Sequence, residues 1–328
     1  MIDRQLPYFI GVDLGGTNIH AGIVDSKGAV LARKFVPTLV NEGEDRVVER
    51  LCHVIRELME RYPSADFKGI GIGAAGIIDI SEGEIVSSPN FPGWRNVPIR
   101  DIISSRFCVP VILDNDANAA IFGEQWAGAG IGKRSLIGLT LGTGVGGGII
   151  LDGLLWHGSE GMAGEIGHMT IVPDGRRCSC GNRGCLESYA SATAIVNRTI
   201  ESMPRHPENN LLEMAEIENS SELTSEKIFQ AALAGNKLAE EIFRETGTYL
   251  GLAIGSLINI LNPEIFIIGG GASQAWDFFY PAMMDEIKLR ALKEPAERIR
   301  VVPAKLGNDA GLIGACGLVL RSLGLAPS

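Results

Sequence analysis

The chain is poor in aromatic residues, has no long apolar run and carries no excess of positive charge. Phe, Trp and Tyr make up 6% of its 328 residues, against a hydrophobic fraction of 45%, which predicts a core of aliphatic and small side chains. No stretch reaches the ~20 continuous apolar residues that a membrane-spanning helix needs. The longest, around Leu250 to Leu261, carries Gly and Asn and reads as a buried helix. The net charge is −10 and the pI about 5.1, which argues against a general nucleic-acid binder and leaves room only for a small basic patch. Met1 to Tyr8 is short and polar, unlike a secretion signal, so a cytoplasmic protein without membrane attachment is expected.

Cysteine is also scarce, and its placement is informative. Three of the six cysteines, Cys178, Cys180 and Cys185, fall within eight positions. Such close spacing suits a reducing compartment and metal binding better than disulfides. With His168 they form His-x9-Cys-x-Cys-x4-Cys, four ligands of the types that a structural Zn²⁺ prefers. The competing reading is a reduced Cys-rich loop with a nearby His. Cys52, Cys108 and Cys316 sit in apolar patterns and are expected in the core.

Glycine is abundant. Its 42 copies exceed the usual ~7% and cluster beside apolar strands, which points to tight turns and close backbone–ligand approaches. Tyr8 to Thr17 reads as a strand entering a Gly-rich turn, Asn18 to Asp25 as a returning strand and Ala29 to Val36 as a third, a β-meander. The stretch from Ile10 aligns without gaps on the stretch from Ile137, and Asp25 falls at the same offset on Asp152. Two strand–turn–strand units at one offset suggest duplicated domains, with chance similarity of two hairpins as the alternative. The length suits two domains of ordinary size.

Both turns can bind phosphate, because successive backbone N–H groups form an anion-binding concavity. The first comprises Asp13, Gly15, Gly16, Thr17 and Asn18; the second comprises Gly142, Thr143 and Gly144. Asp13 stands at a strand end, where it can hold Mg²⁺ directly or through water. Neither turn is a Walker A motif or a dinucleotide fingerprint, since no Gly-Lys-Ser/Thr follows the first and a strand follows the second. The plain alternative is two tight hairpins.

Glu44 to Tyr62 is predicted as an amphipathic helix ended by Pro63. Lys68 to Ile78 is a glycine-laced strand into a loop, where Gly76 can bring main chain against a ligand. Asn90 lies in a loop rich in turn formers. Val109 to Leu113 is a buried strand ending in Asp114-Asn115-Asp116-Ala-Asn118. That is the usual site position in open α/β sheets, although helix capping explains any one of these residues. Beyond Glu187, Ala190 to Ile200 reads as helix, and residues 201–224, with Pro204 and Pro207, as a surface excursion. Ser225 to Ala234 and Lys237 to Leu261 read as helices. Pro263 to Ile268 is a strand ending in Gly269-Gly270-Gly271, Arg298 to Pro303 a last strand, and the segment from Asp309 a small-residue helix.

Glu165-x-Gly-His168 followed by Cys-x-Cys-Gly-x-x-Gly-Cys-x-Glu187 resembles the signature of the ROK family of sugar kinases and sugar-responsive repressors. The two Gly-rich turns resemble the phosphate loops of the actin/hexokinase superfamily. The resemblance runs from Ile10 to Leu320 and implies a two-domain α/β fold of the actin-like ATPase (ribonuclease H-like) type with an interdomain cleft. The implied small domain is 1–117 plus 309–328, and the larger is 118–308. The zinc would be structural, with His168, Cys178, Cys180 and Cys185 as ligands. Glu165, His168, Glu187, Asn115, Asn90 and Gly76 would contact a hexose, and Asp116 would be the catalytic base. The turns at Asp13–Asn18 and Gly142–Gly144, with Gly269–Gly271 on the adenosine side, would hold Mg·ATP. The family's kinases often have Pro where Ala75 stands here, which loosens the carry-over to the Gly76 loop.

The wording around Glu165–Glu187 is most similar to the glucose-phosphorylating members, so ATP-dependent phosphorylation of the glucose 6-hydroxyl is expected. N-acetylmannosamine, fructose and allose are the alternative substrates, and a homodimer or tetramer is the implied assembly. The family's repressors carry an N-terminal helix-turn-helix. The first strand, beginning near residue 8, is expected to leave no room for one, which disfavours a repressor-type protein lacking its DNA-binding domain.

Overall fold

The computed structural model describes residues 6–206 and 209–325. Pro207, expected within the surface excursion, lies outside the described residues, as do the ends of the expected small domain. The first part of the chain runs β1 (Tyr8–Leu14), β2 (Asn18–Asp25), β3 (Val30–Pro37), α1 (Glu44–Arg61), β4 (Phe67–Ala74), β5 (Ile77–Asp79) and β6 (Glu84–Ser87). There follow α2 (Ile99–Phe107), β7 (Val111–Asn115), α3 (Asp116–Ala127), β8 (Leu136–Leu141), β9 (Val145–Leu151) and β10 (Leu154–Leu155). The remainder is mostly helical. It comprises α4 (Glu187–Ala190), α5 (Ala192–Ser202), α6 (Leu211–Met214), α7 (Ser225–Leu233), α8 (Lys237–Leu261), β11 (Ile265–Gly269), α9 (Trp276–Arg290), α10 (Lys293–Arg298), β12 (Arg300–Pro303) and α11 (Ala310–Ser322). Among the described residues no helix is long and apolar enough to cross a membrane.

Two five-stranded sheets share one topology. Their strand orders are β3-β2-β1-β4-β7 and β10-β9-β8-β11-β12. In the first, β1 pairs antiparallel with β2 and parallel with β4, which pairs parallel with β7. In the second, β11 is parallel to both β8 and β12. The matching orders agree with the duplication read from the offset. The strands β1 and β11 are almost continuously buried apolar runs, as parallel strands covered on both faces require.

The chain divides into two compact units, residues 1–134, 148–164 and 305–328, and residues 135–147 and 165–304. This differs from the boundaries expected from sequence, because α3 and residues 148–164 group with the first unit. The reason is close packing of α3 on α11. A Cβ on Gly314 would lie 1.6 Å from the Ala119 carbonyl oxygen, and one on Gly123 would lie 2.5 Å from that of Ala310. The sheet is equally bare beneath α11. Gly11 is in register with Gly22 and Gly71, and Cβ atoms on Gly11 and Gly71 would each lie 2.0 Å from carbonyl oxygens of α11.

In the second unit, α8 presents Gly247, Gly251 and Gly255 to α9. Cβ atoms at these positions would meet the Phe279 carbonyl at 2.1 Å, the Met283 carbonyl at 2.6 Å and Arg290 at 2.8 Å. Glycines four residues apart share one helix face and let two backbones approach.

Two expectations are corrected. Cys108 is exposed, because it stands in the left-handed conformation that ends α2, outside the apolar periodicity of its neighbours. Residues 201–224 are not wholly superficial, since Leu211, Ala215, Ile217 and Leu223 are buried. The helix α1 follows the expected pattern, with Val47, Val48, Leu51, Val54, Ile55 and Leu58 buried and Met59 partly so.

Candidate active site

In the first unit the parallel strands β1, β4 and β7 end side by side. Asp13 is in register with Gly73, and Gly73 with Asp114. The polar groups after β7 have distinct tasks. The Asn115 side-chain oxygen caps α3, accepting from the backbone N–H of Ala117 at 2.9 Å and of Asn118 at 3.2 Å. Its Nδ2 donates to the Gly76 carbonyl at 3.2 Å. Asn115 therefore ties the strand end to the Gly76 turn and keeps its second amide hydrogen for a ligand. Gly76 has φ +127°, and a Cβ there would clash with Ser87 and Ser88 at 2.6 Å, so only glycine fits.

Asp116 is the first residue of α3 and is half-buried. Desolvation raises its carboxyl above the usual carboxylate range, and the Ala117 N–H, 2.8 Å from Oδ1, works in the opposite direction. Asp13 is half-buried too. Burial first and the charge of Asp116 second push it up to about 7. Two carboxylates that repel one another at strand ends form a donor set suited to a divalent cation. The neighbouring helix comes close as well, since a Cβ on Gly311 would lie 2.9 Å from Asp13 Oδ2.

The β1–β2 turn is closed by the Gly15 N–H donating to the Asn18 carbonyl at 3.0 Å. Thr38 buttresses it twice, with its hydroxyl on the Gly15 carbonyl at 2.6 Å and its N–H on the Thr17 carbonyl at 2.8 Å. Thr17 stays exposed. Asn90 is exposed and lies over Gly16, where a Cβ would be 2.8 Å from that of Asn90. The structure thus gathers Asp13, Gly15, Gly16, Gly76, Asn90, Asn115 and Asp116 in the first unit.

Sequence reasoning missed the support beneath this group. Asp114 is buried, and Oδ1 accepts from the Asn115 N–H at 2.7 Å and Asn118 Nδ2 at 3.1 Å. Its Oδ2 is 2.8 Å from His157 Nε2, and that hydrogen bond holds the His157 pKa above its ordinary value. Glu124 is buried and accepts the N–H groups of Ala129, Lys305 and Leu306. No local pattern marks His157, Lys305 or Leu306 as partners, because they are distant in sequence.

In the second unit the candidate metal ligands converge. One ligand atom from each of His168, Cys178, Cys180 and Cys185 lies within 4.8 Å of the others. The Cys180 and Cys185 sulfurs are 3.7 Å apart, and Cys178 Sγ is 3.7 Å from His168 Nδ1. A tetrahedral ion with metal–sulfur bonds of about 2.3 Å sets sulfurs about 3.8 Å apart, so the donor set fits Zn²⁺. Burial pushes the Cys185 thiol up to about 12, with the other two thiols adding to the shift. Gly184, at φ +77°, allows the tight path, since a Cβ would lie 1.8 Å from the Val172 carbonyl. His168 ends a 3-10 turn over Ile166–His168, and its Nε2 is 4.0 Å from Glu165 Oε2. One ring nitrogen therefore faces the thiols and the other a carboxylate.

The β8–β9 turn is fixed from the side. The Gly142 N–H donates to the Gly144 carbonyl at 3.0 Å, and the Ala192 N–H to the Gly142 carbonyl at 2.8 Å. The Thr193 hydroxyl donates to the Thr143 carbonyl at 2.8 Å. Glu187 Oε2 accepts the Val145 N–H at 3.1 Å, while Oε1 is 3.4 Å from the Ser179 hydroxyl and 3.7 Å from Cys178 Sγ. At the end of β11, Gly270 has φ +87° and would carry a Cβ 2.5 Å from Leu141 backbone, whereas a Cβ on Gly271 would meet open space. Gly269 packs on Ala304. Gly271 borders a pocket of about 160 Å³ lined by Phe229, Phe243, Ala272 and Gln274.

A family model described as "ROK family" matches residues 9–322. The chain is 39% identical to a glucokinase of Halalkalibacterium halodurans over 97% of its length and 96% of that protein's. It is 32% identical to a xylose repressor of Caldicellulosiruptor bescii, over 98% of its length and 80% of the repressor's. The solved ROK family glucokinase of Streptomyces griseus, in complex with glucose and AMPPNP, superposes with a TM-score of 0.84 at 36% identity. That match covers 96% of this chain and 99% of the other.

Proposed function

The chain belongs to the ROK family, and on that premise we propose that it transfers the γ-phosphoryl group of ATP to the 6-hydroxyl of glucose, giving glucose 6-phosphate and ADP. It has the two-domain actin-like ATPase fold of the family's sugar kinases. The observation that carries the reading is 39% identity to a glucokinase over nearly the full length, together with a half-buried Asp116 at the β7–α3 junction.

Asp116 is assigned as the catalytic base. A carboxylate is a weak base towards an alcohol, so it mainly orients the hydroxyl and takes its proton late, as oxygen attacks phosphorus. Its raised pKa brings it nearer to the working range of a base at neutral pH. Gly76, Asn90, Asn115, Glu165, His168 and Glu187 are assigned to the hexose. Asn115 has an amide hydrogen to spare, and His168 is oriented by Glu165. For Glu187, Oε2 is engaged by Val145, and Oε1, beside Ser179 and Cys178, is the oxygen assigned to a sugar hydroxyl.

Asp13, Gly15, Gly16, Thr17, Asn18, Gly142, Thr143 and Gly144 are assigned to the phosphates, and Gly269, Gly270 and Gly271 to the adenosine. The pocket beside Gly271 is lined in part by Phe229 and Phe243, an apolar wall suited to a flat base. Mg²⁺ bound with ATP offsets negative charge on the phosphoryl oxygens, and Asp13 is the carboxylate placed to hold it. A zinc ion on His168, Cys178, Cys180 and Cys185 would be structural, holding the segment that presents Glu165 and Glu187.

The test is ADP release with Mg·ATP and, separately, glucose, mannose, fructose, N-acetylglucosamine and N-acetylmannosamine. Glucose should give the highest kcat/KM. A higher value with another sugar would replace the substrate. Sugar binding without turnover of any sugar would place the protein with the sensors.

A further inference from the structure

We infer that Glu187 is a positioning residue for the phosphate-binding turn, through which the metal segment sets the protein's affinity for the nucleotide's phosphates as well as for sugar. The inference rests on the assignment of Gly142–Gly144 to phosphate. Glu187 stands two residues after Cys185, the last of the four ligands, and opens α4. Its carboxylate spans two structures. Oε1 lies beside Ser179 and Cys178 of the metal segment, at 3.4 and 3.7 Å. Oε2 receives the Val145 N–H at 3.1 Å, and a Cβ on Gly144 would lie 2.4 Å from that same oxygen.

This bond decides which donors the turn offers. The Gly142 N–H is spent on Gly144 and the Val145 N–H on Glu187. Among the described residues those of Thr143 and Gly144 have no backbone partner and remain for an anion, with the Thr143 hydroxyl. The chain just beyond Glu187 adds two further ties, from the Ala192 N–H and the Thr193 hydroxyl to the carbonyls of Gly142 and Thr143. Backbone donors bind anions well only when held in place beforehand. A metal segment that loosens therefore releases one side of the turn, and Glu187 is the link that transmits it.

The experiment measures the affinity of AMPPNP and of AMP, with Mg²⁺ and without sugar, by calorimetry on the metal-loaded protein. The variants are Glu187→Ala, Glu187→Gln, Thr193→Val and Gly142→Val. Losing one charge-assisted bond at a site of this kind corresponds to about a 10-fold change in affinity. Glu187→Ala should lose about 10-fold for AMPPNP and little for AMP. Glu187→Gln keeps an acceptor for the Val145 N–H and should stay within about 3-fold. Thr193→Val touches neither a metal ligand nor a sugar contact, and should also lose AMPPNP affinity selectively.

Chelating the metal from the wild type should weaken AMPPNP as Glu187→Ala does, and chelating it from Glu187→Ala should add little, since the two act through one link. Gly142 has open space for a side chain, so Gly142→Val should fold and obstruct the turn. Unchanged AMPPNP affinity in Gly142→Val would remove the turn from the phosphate site, and with it the underlying assignment. A loss in Gly142→Val beside unchanged affinity in Glu187→Ala and Thr193→Val would overturn the inference alone. Additive losses from chelation and Glu187→Ala would do the same, as would tighter AMPPNP binding once the Glu187 charge is gone.

Discussion

Replacing Asp13 with Asn should stabilise the nucleotide-free protein above neutral pH while removing its activity. The Asp13 carboxyl is pushed from 3.8 up to about 7, by burial and then by Asp116. Between these values the folded protein holds a proton that the unfolded chain releases. Stability therefore falls as pH rises from about 4 to about 7 and levels off above that. Roughly three pKa units correspond to about 4 kcal/mol at the plateau. Asp13 is only half-buried, and solvent relaxation halves that to about 2 kcal/mol. An Asn amide matches the carboxylate in shape and carries no charge at any pH. Urea unfolding without Mg²⁺ or nucleotide, at about pH 4.5 and about pH 8, reads the difference directly. The variant should be nearly equal to the wild type at the lower pH and about 2 kcal/mol more stable at the higher. Equal stability at both pH values, or a less stable variant at the higher, would refute the reasoning. Strain of this kind is expected where a cation completes the charge balance.

Chelation, or Cys180→Ser, should loosen the Glu165–Glu187 segment and abolish sugar binding. Glucose titration of metal-free protein checks this, and an unchanged dissociation constant would contradict it. Gly314→Ala should cost about 3 kcal/mol or more, because its Cβ would lie 1.6 Å from the Ala119 carbonyl and two helix backbones must separate, as thermal unfolding will show. Asn115→Ala removes both the α3 cap and the tether to Gly76. It should cost about 1 to 2 kcal/mol of stability and weaken glucose binding in the same calorimetric titration.

Much of this was legible in the residues, and the pattern of what was not is physical. The helix α8 runs over the span expected, because Asn236 caps it, apolar residues recur through it, and Asn262 ends it in the left-handed conformation. That His168, Cys178, Cys180 and Cys185 converge was legible because their spacing is local. The helix α9 was not. It carries Pro281 within it, which breaks a helical reading although Phe279, Met283 and Ile287 are buried along one face, and its partner surface is the Gly247–Gly251–Gly255 face of α8. The domain boundary failed for a related reason, since α3 joins the first unit through glycines whose partners lie almost two hundred residues away. The bonds from Thr38 to Gly15, His157 to Asp114 and Glu187 to Val145 likewise join residues far apart, and no spacing rule anticipates them.

The central claim is that Asp116 assists transfer of phosphate from ATP to glucose. The most direct measurement is kcat for glucose 6-phosphate formation beside glucose affinity, in wild type and Asp116→Asn. The account predicts a loss of about 10³-fold in kcat with glucose affinity within a few-fold of wild type. A variant that turns over glucose at close to the wild-type rate would contradict it.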